Sequence, residues 1–218
     1  VGVVVVAAVL IRLLFPVVPV ALAAAVGERG WGIMPRLGLP YAVAVVAGFL
    51  VLDLAIYWQH RLFHWWRPLW RLHRMHHADT YFDFTTGVRF HPLEFLLSMA
   101  LKLGLVVLLG PPALAVLLFE IGLNCIVMFN HANIRLPLAA DRLLRLVVVT
   151  PDMHRVHHST DMRETGSNFG FNSPWWDRLF ATYTAQPAKG HQGMEIGLNI
   201  FRDRKYRSLR QLLLMPWR

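Results

Sequence analysis

Four long apolar runs limit what this chain can fold into. Residues 1–26 carry only Arg12 as a charge, with Pro16 and Pro19 in the middle, and residues 41–58 carry only Asp53. Two further runs, 93–109 and 113–129, flank Gly110-Pro111-Pro112, which reads as a tight turn. A helix needs about 20 apolar residues to cross a bilayer. Lipid offers a bare backbone no hydrogen-bonding partner, so such runs must be helical. The expectation is an all-α integral membrane bundle of about four transmembrane helices. A signal peptide is the alternative for the first run, although no basic segment precedes it.

The charges sort by side. The chain has 22 Lys+Arg against 13 Asp+Glu, a net +9, and its only lysines are Lys102, Lys189 and Lys205. Such a surplus suits nucleic acid or anionic lipid; the apolar runs favour lipid, and no nucleic-acid partner is expected. Residues 59–92 and everything after Asn130 are rich in arginine, while 27–40 and 110–112 are nearly neutral. By the positive-inside rule both basic blocks are cytoplasmic, which agrees with four crossings. Trp58, Trp65, Trp66 and Trp70 read as interface anchors. Lys102 and Glu120 sit at nearly equal depth on the two arms of the hairpin and are expected to pair, because an isolated charge in lipid is costly. Cys125, the single cysteine, excludes an internal disulfide and reads as a packing residue. The basic segment 184–218 reads either as a helix on the membrane surface or as a solvated tail.

The histidines are sorted as well. Ten of the 11 histidines fall at the arginine-rich ends of the runs; His191, alone in a glycine-flanked loop, reads as an ordinary core or surface residue with a satisfied hydrogen bond. His60 and His64 are four apart. His73, His76 and His77 spell His-x-x-His-His, and His154, His157 and His158 repeat it about eighty residues later. Residues three or four apart share a helix face, so each element offers two or three imidazoles together. With His131 beside Asn130, this makes nine candidate ligands, more than one metal takes and suited to two. Imidazole serves zinc, copper, iron and nickel alike. His91, before a proline, is divided evenly between ligand and structural roles. The chain has no dinucleotide-binding glycine pattern, haem motif or Fe–S cysteines.

With these residues in place, the chain resembles the fatty acid hydroxylase/sterol desaturase superfamily of membrane-bound di-iron oxygenases. The matching boxes are His60-RLF-His64, His73-RM-His76-His77 and His154-RV-His157-His158, supported by DLAIYWQHRLFH, TTGVRFHPLE, FNHAN, NFGFN and WWDRLFATY. The resemblance implies a division into an N-terminal span and loop (1–40), a di-iron domain (41–183) and the basic tail (184–218). It implies two Fe ions, with zinc able to replace them in a purified sample, and O2 as co-substrate. It also implies a membrane lipid substrate and an external ferredoxin- or cytochrome-b5-like donor with its NAD(P)H reductase. Hydroxylation is favoured over desaturation, at the cytoplasmic face of a membrane expected to be a bacterial inner membrane. Asp79, Asp83, Asp152 and Asp161 lie beside the boxes and are candidate partners for histidine N–H groups. Asp53 is expected to hold the first box through an arginine or histidine, and Asn168 to make a polar contact near the metals. Two rivals are a metal-dependent hydrolase with the same ligands and a non-catalytic metal-binding membrane protein.

Overall fold

In the computed structural model, residues 2–15 and 18–218 are described. They form helices and turns, with no strand among the described residues. The expected first run is two helices, α1 (Gly2–Leu14) and α2 (Pro19–Glu28). Pro19 opens α2, where its fixed φ and missing N–H cost nothing; Pro16 lies outside the described residues. The second run extends to Trp65 as α3 (Tyr41–Trp65). A one-residue break at Trp66, in extended backbone, leads into α4 (Arg67–His77), which Pro68 helps to start. The hairpin is α5 (Pro92–Leu109) and α6 (Ala113–Asn130). Gly2–Glu28, α3, α5 and α6 are each long and apolar enough to cross a membrane, and the chain is an integral membrane protein.

Close approaches fix the far end of the bundle. Gly110 caps α5 at φ +62°, and a Cβ there would meet the Trp31 carbonyl oxygen at 2.1 Å. Only glycine fits both the left-handed backbone and that contact. Ala23, Leu52, Ile56, Val106, Val116 and Phe119 form the core between α2, α3, α5 and α6. Leu97, Leu101, Leu118 and Ile121 remain exposed on the outer faces of the hairpin, as lipid-facing residues would. Lys102 Nζ donates to Glu120 Oε1 at 2.7 Å, as their matched depths required. Cys125 departs from expectation: it is exposed, so it faces outward instead of packing inside.

Short helices cap the opposite end: α7 (Leu138–Leu144), α8 (Pro151–His157), α9 (Met162–Thr165), α10 (Trp175–Leu179), α11 (Gly190–Gly193) and α12 (Leu209–Leu214). The last segment is no solvated tail. Leu198, Leu212 and Met215 pack with Val3 of α1 and with Met75 and Ala78 of α4 and its cap. The Arg74 guanidinium also donates to the carbonyls of Met215 and Arg218. The tail thereby backs the helix that carries the first histidine triplet.

Candidate metal centre

Three helices and one helix end bring the nine histidines together. α3 presents His60 and His64 from its last turns, and α4 presents His73, His76 and His77. His131 caps α6, His154 and His157 lie on α8, and His158 caps it. The Thr150 hydroxyl accepts from the Met153 N–H and starts α8. All are buried except His64, which is half-buried.

The rings divide into two groups. His60, His64, His73, His77 and His157 form one; His76, His131, His154 and His158 form the other. Within each, the ligand-type nitrogens lie within 4.8 Å of one another. Each triplet serves both groups. On α4 the i, i+4 pair His73/His77 goes to the first and His76 to the second; on the later triplet the i, i+4 pair His154/His158 goes to the second and His157 to the first. The repeated spacing thus aims each triplet at two neighbouring positions.

Hydrogen bonds fix the tautomers. Nδ1 of His60, His76, His131 and His157 lies 2.8, 3.0, 2.7 and 2.7 Å from the carbonyl oxygens of Phe169, Thr86, Val127 and Ser167. A carbonyl only accepts, so Nδ1 carries the proton. His73 Nδ1 lies 2.7 Å from Glu94 Oε1 and donates to it when Glu94 is a carboxylate. The Nε2 atoms of these rings are therefore bare lone pairs while the rings are neutral. Burial keeps them neutral: it pushes His73 down to about 3 and His131 to about 4, and His76, His77, His154, His157 and His158 well below the ordinary histidine value.

Yet these lone pairs face each other. His60 Nε2 is 3.1 Å from His73 Nε2, and His76 Nε2 is 3.2 Å from His131 Nε2. The His76–His131 pair has no proton to share, and the His60–His73 pair has none while Glu94 is ionised. His64 Nε2, His157 Nε2 and both nitrogens of His158 are buried with no partner among the described residues. Converging buried lone pairs repel unless an electron-pair acceptor joins them. At an Nε2–metal distance of about 2.1 Å, neighbouring ligands sit about 3.0–3.4 Å apart for six- to four-coordinate ions. The donor set therefore fits two imidazole-bound metal ions.

The acids anticipated beside the boxes do not touch a histidine through a hydrogen bond. Asp79 takes the Thr86 hydroxyl at 3.0 Å and pairs with Arg89, so it reaches His76 only through the Thr86 backbone. Asp83 caps its own turn through Thr85, Asp152 pairs with Arg155, and Asp161 caps α9 at the Arg163 N–H. Asp53 holds neither an arginine nor a histidine; its Oδ2 accepts from Ser173 Oγ at 2.7 Å and Trp176 Nε1 at 2.8 Å. His91 stands outside both groups. It caps α5 by accepting the Leu93 N–H, and its Nε2 donates to the Leu213 carbonyl. His191 lacks the satisfied hydrogen bond expected of it: its ring nitrogens are buried without partners among the described residues.

Asn168 acts through the backbone. At φ +54° it donates to the carbonyls of Met153 and Thr184 and accepts the Thr184 N–H. Its neighbours Ser167 and Phe169 supply the carbonyls that anchor His157 and His60. The sequence reading missed two acids. Glu94, which orients His73, was hidden in an apolar run; its signal was an acid one residue after HPL at the histidine end of that run. Asp177 accepts the N–H groups of Phe169 and Gly170 at 2.8 Å each and so braces the loop that anchors His60; burial raises it to about 6.

The fatty acid hydroxylase family model matches residues 45–182, a span that holds all nine histidines. The chain belongs to this family. Among curated proteins, this fatty acid hydroxylase family member is 34% identical over 149 residues to the ornithine lipid hydroxylase OlsE of Rhizobium tropici, covering 68% of this chain and 44% of that protein. It is 29% identical over 154 residues to the alkylglycerol monooxygenase of Danio rerio, covering 70% and 33%. For the enzyme of that name in Homo sapiens the figures are 27% over 160 residues, 71% and 34%. The chain thus spans less than half the length of these relatives. No solved structure matches it.

Proposed function

We propose that this protein is a membrane-bound di-iron monooxygenase that hydroxylates a lipid. His60, His64, His73, His77 and His157 hold one iron, and His76, His131, His154 and His158 the other. The observation that carries this reading is the pair of facing Nε2 lone pairs, His60 with His73 and His76 with His131. The relatives, a lipid hydroxylase and alkylglycerol monooxygenases, support iron over zinc and hydroxylation over desaturation or hydrolysis. The irons, when bound, supply activation of O2 and oxidation of an unactivated C–H bond. An external donor provides the electrons that reduce the second oxygen atom to water.

The chain's own part is positioning and dryness. Backbone carbonyls and Glu94 hold five of the nine rings in the tautomer that offers Nε2, so these need little reorganisation on metal binding. Phe90 stacks on His76 with ring centroids 4.2 Å apart, and Phe171 lies 4.7 Å from His60; these faces exclude water. The histidines sit where the spans meet the arginine-rich cap. A lipid can keep its chain in the bilayer while its reacting carbon reaches them. The same arginines favour the cytoplasmic face for this end and an acidic ferredoxin- or cytochrome-b5-like donor.

Lipid profiling of cells with and without the chain tests the reading. A lipid gaining one oxygen is expected, lost in His76→Ala and His157→Ala, which strike one group each. An unchanged profile in cells that hold the iron-loaded protein and a donor would refute it.

A further inference from the structure

The cleft between α3, α5 and α6 carries a polar ladder in an otherwise apolar wall. Its volume is about 290 Å³. On α5, Glu94, Ser98 and Lys102 recur every four residues, and all three line the cleft. That spacing stacks them along one face, about 12 Å from first to last at 1.5 Å per residue. Gln59 of α3 donates to Ser98 Oγ, and Lys102 pairs with Glu120 of α6. Polar side chains at such depth are retained where they serve a bound group.

Two oxygens on the ladder have no donor among the described residues. Glu94 Oε2 and Gln59 Oε1 are both buried and unpartnered, and Glu94 is only 5% exposed. Gly87, Phe90 and Glu94 line the metal end of the cleft. Glu94 bonds His73, Phe90 stacks on His76, and the Gly87 α-carbon faces His131. Residues of the cleft lining therefore touch histidines of both groups. A plain hydrocarbon chain here would leave both oxygens unsatisfied, which is costly away from water.

We propose that this cleft binds the lipid substrate and selects one bearing hydroxyl or N–H groups near its reacting end, each such group donating to Glu94 Oε2 or to Gln59 Oε1. The inference deepens the oxygenase reading and takes from it that the lipid reacts at the histidine groups. The iron-loaded full chain in lipid nanodiscs is labelled with hexadecanol carrying a diazirine at mid-chain, within reach of the cleft walls when the hydroxyl is at Glu94 or Gln59. Unlabelled hexadecanol and hexadecyl methyl ether, which lacks only the O–H, then compete.

Labelling is expected on α5 or α6 within the cleft, with the alcohol competing about tenfold better than the ether. Gln59→Leu removes one of the two acceptors and should lower that ratio. Labelling outside the cleft, or equal competition in the unaltered protein, would overturn the proposal. The second result is also what a water molecule satisfying the two oxygens would give. If Gln59→Leu fails to fold, the wild-type ratio alone decides. Labelling needs no turnover. Selective binding without lipid oxidation would therefore count against the oxygenase reading and leave this assignment standing.

Discussion

His73 Nδ1 donates to Glu94 Oε1 at 2.7 Å, tying the first triplet on α4 to the opening turn of α5. The carboxylate fixes the ring and makes Nε2 a better donor. Glu94→Ala should weaken metal binding in the five-histidine group by about 10–100-fold, while the four-histidine group keeps its affinity. Glu94→Gln, whose amide oxygen can still accept, should lie between. Metal titration that resolves two sites checks this.

Gly87 gives a second handle, on the other group. A Cβ there would meet the Val127 carbonyl oxygen at 2.9 Å and His131 Nδ1 at 3.2 Å. These are the two partners of the bond that orients His131. Gly87→Ala should therefore lower metal occupancy of the four-histidine group and spare the other. Equal occupancy of both in the variant, measured by metal analysis and iron spectroscopy, would mean that the loop gives way.

The Lys102–Glu120 pair should behave as a unit. Lys102→Met leaves a carboxylate in a mostly apolar cleft and should cost about 3 kcal/mol. The Lys102→Met, Glu120→Gln double variant should recover most of that loss. Unfolding in mixed micelles measures the cycle; additive losses would show that the charges do not depend on each other.

The metal-free protein should be acid-sensitive. Burial lowers His73 to about 3 and His131 to about 4, against an ordinary value of 6.5. The unfolded chain then binds more protons than the folded one. Stability is therefore fully present above about pH 6.5 and falls as pH drops toward 4 and below. Each such histidine contributes a slope of about 1.4 kcal/mol per pH unit. Chemical unfolding of the metal-free protein between pH 8 and 5 checks the direction; a flat profile would show that the rings are not buried in that state.

Much of this was legible in the sequence. Four apolar runs, the depth match of Lys102 with Glu120 and the histidine spacings are local patterns, and each carries its physics in a few residues. Which histidine joins which group was not. That depends on the angle at which α4 and α8 meet, and no spacing encodes it. The supporting acids were misread for a similar reason. Asp79, Asp152 and Asp161 are near the boxes in sequence but serve turns, caps and arginines. Glu94 and Asp177 lie 17 or more residues from the nearest box and are brought in only by folding. Asp53 seemed to need a cation, but a serine hydroxyl and an indole N–H satisfy its Oδ2.

The arrangement of nine imidazoles into two neighbouring sites is tested most directly by anomalous diffraction at the iron edge from crystals of the iron-loaded protein. Two peaks are expected, one among His60, His64, His73, His77 and His157 and one among His76, His131, His154 and His158. A single peak shared by both sets, or iron bound elsewhere with both sets empty, would contradict it.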